Sequence, residues 1–154
     1  AVEYAEDHSD FNRCLAESGI EKAAMISSHL ASQLSHVNLI LSSPACRAIE
    51  TARIFSDALG YDQSQIKTFE PLYHFGGIDR AMHIISQVKD EVETLMLVGH
   101  NPTFNALSWH LCPEFREGMP TCSVVGVKLD LKSWSNILGT QGALLTYLTK
   151  RNLS

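Results

Sequence analysis

No stretch of the 154-residue chain approaches the roughly 18 consecutive apolar residues that a membrane-crossing helix requires. No signal-peptide pattern opens it either, since Ala1 to Asp10 is polar and acidic. Basic residues are in the minority, and a net charge of −5 leaves no basic face for a nucleic-acid backbone. Cysteines are few and scattered: Cys14, Cys46, Cys112 and Cys122 show no paired spacing. Neither CxxC nor HxxxH clusters occur, so no metal site is expected, and the thiols are expected to be reduced core or surface residues. These absences lead to the expectation of a cytoplasmic protein with no metal, no cofactor, no nucleic-acid partner and no membrane partner.

Apolar residues make up 45% of the chain and charged residues 19%, the balance of a globular domain. One domain over residues 1–154 is expected, with no linker, repeat or low-complexity segment. Apolar residues at near-helical spacing from Ile20 to Leu34 predict an amphipathic helix over about Glu17 to Leu34. Val37 to Leu41 reads as a buried strand that stops at Ser42-Ser43-Pro44. Ser43 is then the expected N-cap, Pro44 the first residue of a helix to Leu59, and Gly60 its stop. Ile66 to Phe69 is a weaker strand, and Asp79 to Val88 a helix. Thr94 to Val98 is a second buried strand, after which Asn101 caps and Pro102 begins a helix to about Leu111. Alternation of period two then predicts strands over Ser123 to Leu129 and Ala143 to Leu148. Strands alternating with helices imply a three-layer α/β/α domain with a mostly parallel sheet, the last two strands forming an antiparallel addition at one side.

Two segments thus share one design: buried strand, small polar turn, cap residue, proline, helix. In an open α/β sheet ligands gather at the carboxyl ends of the strands, where helix N-termini favour anions. The first segment places Arg47 in the first turn of its helix, and the second places His100 at the strand tip. Taken alone, Arg47 reads as a surface arginine paired with Glu50, and His100 as a cap on a backbone carbonyl. At equivalent points of two matched turns they read better as an anion pocket. The guanidinium fork matches phosphate oxygens, and Ser43 and Asn101 stand beside it as candidate phosphate ligands.

The run Leu41-Ser42-Ser43-Pro44-Ala45-Cys46-Arg47-Ala48-Ile49-Glu50-Thr51-Ala52 resembles the SSPxxRAxxTA signature of the histidine phosphatase superfamily. Val98-Gly99-His100-Asn101-Pro102 is similar to its second-histidine signature, VGHNP in the small SixA-type branch. Asp10 to Gly19 resembles that branch's DxxRPLTxxG stretch, with Cys14 at the usual proline and Ala16 at the usual threonine. Pro120-Thr121-Cys122 and the closing Gly142-to-Lys150 strand resemble the branch as well. The resemblance implies a phosphoglycerate mutase-like fold, with Arg47 as a phosphate clamp and His100 as the second pocket histidine. Arg13 could reach the phosphate or the substrate rim, or form a structural ion pair.

In the family an RHG or RHA histidine attacks phosphorus. That motif does not occur in the 154 residues, and the nucleophile with its arginine is expected upstream of Ala1, on a strand of about ten residues. His8 reads as a solvated loop residue, and His29, His36, His83 and His110 as ordinary surface or element-end histidines. The general acid is open between Glu70, His74, Asp79 and none. An imidazole leaves more readily than an alkoxide, so a weak acid tilts the expected substrate toward phosphohistidine. The resemblance therefore implies a metal-independent protein phosphohistidine phosphatase. A phosphorylated protein is the expected partner, a histidine-phosphotransfer domain being one candidate, and a monomer is expected. The compact chain, with no long insertion to form a lid, favours a macromolecular substrate. The alternatives are a phosphatase of small phosphate monoesters and, with no nucleophile, a non-catalytic phosphate-binding module.

Overall fold

A computed structural model describes residues 10–73 and 77–153. The helices are α1 (Glu17–Gln33), α2 (Cys46–Leu59), α3 (Gly77–Ser86), α4 (Thr103–Leu111) and the short α5 (Lys150–Leu153). The strands are β1 (Leu39–Ser42), β2 (Lys67–Thr68), β3 (Leu95–Val98), β4 (Val124–Lys128) and β5 (Ala143–Leu148). Strands β2, β1 and β3 form a parallel sheet in that order. Among the described residues no helix is long and apolar enough to cross a membrane.

The pleat of β1 divides the core. Ile40 faces one cluster with Ala23, Ile26 and Leu30 of α1 and Ala52 and Phe55 of α2. Leu41 faces the other, with Met82 and Ile85 of α3 and Leu107 and Leu111 of α4. Strand β3 repeats the alternation: Met96 and Val98 pack on the first cluster, Leu95 and Leu97 on the second. Successive side chains of a strand point to opposite faces, so a strand buried on both sides reads as a continuous apolar run. The result is the α/β/α arrangement with a parallel sheet expected from the sequence.

Three local expectations need correction. Helix α2 begins two residues later than Pro44, with Ala45 at its N-cap in extended conformation and no side-chain cap. Ser43 instead bonds the Ala45 N–H and a side chain across the sheet, which keeps it out of the cap position. Strands β4 and β5 pair antiparallel as a separate two-stranded sheet rather than as an addition to the first. Cys14 and Cys46 are joined by a disulfide, whereas Cys112 and Cys122 are free. Local spacing could not reveal that pair, because 32 residues separate its members and packing alone brings them together. Gly60 does end α2, at φ 69° in the left-handed region that glycine enters without penalty.

Candidate active site

Strands β1 and β3 are parallel neighbours, so their carboxyl ends lie side by side. The Ser43 N–H donates to the Val98 carbonyl at 2.9 Å and locks the two turns together. Ser42 and Ser43 are completely buried. The Ser42 hydroxyl donates to the Ser43 carbonyl at 2.8 Å. Ser43 Oγ accepts from the Ala45 N–H at 3.2 Å and lies 2.8 Å from His100 Nε2. His100 can come this close because Gly99 before it has no side chain; a Cβ there would strike the Phe104 ring.

His100 is half-buried, with the Tyr73 ring edge-on at 5.6 Å. Burial, followed by the nearby Arg47 guanidinium, lowers its pKa from 6.5 to about 4, while Asp10 opposes the shift. It is therefore a neutral imidazole at pH 7. Arg47 is the second residue of α2. Its Nη1 donates to the Asp10 carbonyl at 2.7 Å and its Nη2 to Asp10 Oδ2 at 3.4 Å. The Tyr73 hydroxyl donates to the same Oδ2 at 2.7 Å. That bond, with the two arginines nearby, holds the Asp10 carboxyl below the usual carboxylate range.

Asp10 and Tyr73 are the residues that sequence reasoning missed. Asp10 looks like one more acid of a solvated run, and its place at the head of the Asp10–Gly19 stretch was the available signal. Tyr73 carries no motif. Together they join Arg47 to His100, since Asp10 bonds Arg47 and Tyr73 touches both Asp10 and His100. Arg47 pairs with Asp10 rather than with Glu50, whose Oε1 accepts from the Leu15 N–H at 2.6 Å.

Arg13 is exposed and pairs with Asp10 Oδ1 at 3.1 Å, so its charge is spent on the rim. The Asn101 side chain is used twice by the fold. Its Oδ1 caps the Asn105 N–H at 3.0 Å, and its Nδ2 donates to the Met119 carbonyl at 2.7 Å. Glu70 lies in the 3-10 turn after β2 and Asp79 in the first turn of α3, both exposed. His8 and His74 lie outside the described residues. His29, His36, His83 and His110 are exposed. Ligand atoms of Cys14, Cys46 and Glu50 fall within 4.8 Å of one another, a grouping that spacing did not suggest. The sulfurs are bonded to each other there, and Glu50 is committed to Leu15.

A fixed cation, a neutral hydrogen-bonding imidazole and two strand-end turns are equipment for gripping an oxyanion. The family model of the histidine phosphatase superfamily, branch 1, matches residues 3–74. A SixA protein of Agrobacterium tumefaciens has a TM-score of 0.73 and 27% identity, over 91% of this chain and 85% of that one. The chain belongs to the histidine phosphatase superfamily. Its fold is also similar to the protein histidine phosphatase SixA complexed with tungstate, at TM-score 0.80 and 23% identity over 95% of this chain and 90% of that one. A mycobacterial glucosyl-3-phosphoglycerate phosphatase is a more remote fold relative of this superfamily member, at TM-score 0.62 and 16% identity over 86% of each chain. Two uncharacterized proteins of Mycobacterium tuberculosis are 33% identical over 105 residues, 68% of this chain. The matched region spans 63% of the length of those relatives.

Proposed function

We propose that the protein removes a phosphoryl group from phosphohistidine on a protein, through a phosphohistidine intermediate. The observation that carries this reading is the junction of His100, Ser43, Tyr73, Asp10 and Arg47 at the carboxyl ends of β1 and β3. Arg47 and His100 hold the equatorial oxygens. Transfer of the phosphoryl group is governed by in-line placement and by positive charge on those oxygens. The likeness in fold to a SixA protein complexed with tungstate, an oxyanion of phosphate-like shape, agrees with a domain that takes an oxyanion. The family resemblance implies an attacking histidine in an RHG or RHA motif, a motif that the 154 residues do not contain. Charge stabilisation comes from protein groups, so the reaction runs without a divalent metal.

A second reading keeps the pocket and changes the substrate to a small phosphate monoester, which the fold likeness to a glucosyl-3-phosphoglycerate phosphatase favours. The two differ in leaving group: an ester needs a proton donor, for which Glu70 and Asp79 are candidates, and phosphohistidine needs little help. The deciding experiment compares kcat/KM of the full-length protein on a phosphohistidine protein and on a panel of small phosphate esters. Preference for the protein, retained in Glu70→Gln and Asp79→Asn and unaffected by chelator, supports the first reading. Preference for an ester, lost in one of those variants, replaces it by the second.

A further inference from the structure

Cys14 and Cys46 have Cα atoms 4.8 Å apart and their sulfurs are bonded. Cys46 is the first residue of α2 and Arg47 the next, so one end of the disulfide is fixed beside the phosphate clamp. The other end belongs to the segment that covers that clamp. Asp10, four positions before Cys14, is bonded to Arg47 through its carbonyl and its carboxylate. Phe11 packs edge-on against Tyr73 at 5.1 Å, and Leu15 is tied to Glu50. Residues 10–15 therefore form a strap across the arginine, and its one covalent fastening is the Cys14–Cys46 bond. Cys14 is exposed, so a small thiol or disulfide can reach it.

We propose that Cys14 and Cys46 are a thiol–disulfide switch that sets how firmly Asp10 occupies Arg47, oxidation favouring Asp10 over phosphate. The proposal rests on the reading of Arg47 and His100 as a phosphate pocket. A carboxylate and a phosphoryl group compete for one guanidinium. Tethering the carboxylate raises its effective concentration at the arginine, whereas an exposed, untethered ion pair is weak. With the tether open, the Asp10–Arg47 contact rests on non-covalent partners, the Tyr73 and Arg13 bonds together with the Phe11–Tyr73 packing and the Leu15–Glu50 bond, and phosphate displaces it more readily.

The chemistry is ordinary exchange with a small-molecule disulfide. The thiolate of one cysteine attacks a sulfur of that disulfide, forming a mixed disulfide and releasing one small thiolate. The second cysteine, deprotonated in its turn, attacks the protein sulfur, closes the Cys14–Cys46 bond and releases the second small thiolate. Two electrons and two protons pass from the protein dithiol to the small disulfide, which becomes two thiols. Reduction by two small thiols reverses each step.

The test measures binding of inorganic phosphate to the full-length protein after equilibration in oxidised and in reduced glutathione, with thiol alkylation and mass reporting the state of the pair. Phosphate is expected to bind about three- to tenfold more tightly in the reduced state. Cys14→Ser, and independently Cys46→Ser, should show the reduced-state affinity in both buffers. Asp10→Asn should bind phosphate more tightly than the oxidised wild type and lose the redox difference. Equal affinities in the two verified states, or tighter binding in the oxidised one, overturn the switch and leave the pocket standing. Binding in neither state overturns the phosphate pocket itself, and the switch falls with it. The reduced wild type carries the comparison without relying on any variant to fold.

Discussion

His100 Nε2 lies 2.8 Å from the hydroxyl oxygen of Ser43, and both residues stand immediately beyond the ends of adjacent parallel strands. The bond therefore fixes the half-buried His100 to the turn that leads into the Arg47 helix. Ser43 is fully buried and also accepts from the Ala45 N–H, so its hydroxyl serves two partners at once. Ser43→Ala leaves a buried N–H and an imidazole nitrogen short of a partner, at a cost of about 1–3 kcal/mol. Thermal unfolding should record that loss, and the affinity for phosphate or tungstate should fall with it. Unchanged stability and unchanged affinity would show that the serine only fills space.

Protonation of His100 gives a pH signature. The folded chain holds its pKa at about 4 against an ordinary 6.5, so between those values the unfolded chain binds a proton that the folded chain does not. Stability is then greatest above about pH 6.5, declines as pH falls toward about 4, and receives no further loss from this group below that. Asp10 acts in a separate, lower window: its carboxyl is held below the usual range, and its stabilisation is lost as pH falls through that lowered value. Chemical denaturation from pH 7 to pH 4 should show a shallower decline in His100→Gln than in the wild type. An identical slope in the two proteins would dispose of the assignment. Bound phosphate should raise the His100 pKa, because an anion beside the ring favours the imidazolium; titration of the ring resonances with and without phosphate measures this.

Much of the fold was legible because both faces of β1 and of the partly buried β3 pack against apolar clusters, which turns them into the apolar runs Val37–Leu41 and Thr94–Val98. The turns after them were legible for the same reason that they matter: Gly99 is required by the ring of Phe104, and a motif is the trace of such a constraint. Helix α2 was misplaced at its start because Ser43-Pro44 is a sound cap signal locally, while the tertiary bond to His100 claims the serine. Asn101 does accept from an N–H of the first turn of α4, but Pro102 rather than Asn101 is the N-cap and the helix begins at Thr103, one residue later than expected. The phosphate role expected of Asn101 competes with the bond of its amide to the Met119 carbonyl. The Asp10–Arg47 contact and the disulfide join residues 37 and 32 positions apart, and neither leaves a periodic trace.

Gly99→Ala tests the tight junction from the other side. The added methyl meets the Phe104 ring, which is part of the cluster packed on α3 and α4. Overpacking of this kind costs about 1–3 kcal/mol, and here it also displaces His100. Phe104→Leu in the same chain should return part of the lost stability, since a smaller side chain makes room for the methyl. A double-mutant cycle by thermal unfolding provides the check. If the two substitutions prove additive, the glycine is not there to accommodate the ring.

Arg47 carries the most specific prediction about chemistry. Its guanidinium is held on Asp10, near a His100 that is neutral at pH 7. Charge on the phosphoryl oxygens and on the departing imidazole changes most in the transition state, and a fixed cation acts chiefly there. Arg47→Ala in the full-length protein should therefore lower kcat on a phosphohistidine protein by about a hundred- to a thousandfold while moving KM far less. Arg47→Lys should recover little, because an ammonium cannot grip two oxygens in one plane. The proposed roles also fix where an acid-labile phosphoenzyme forms in the full-length protein: on a histidine of an RHG or RHA motif, with His100 unlabelled. Rapid quench followed by peptide mapping reads this directly. Label at position 100, together with turnover abolished in His100→Ala, would exchange the roles of the two histidines and make the residue bonded to Ser43 the nucleophile.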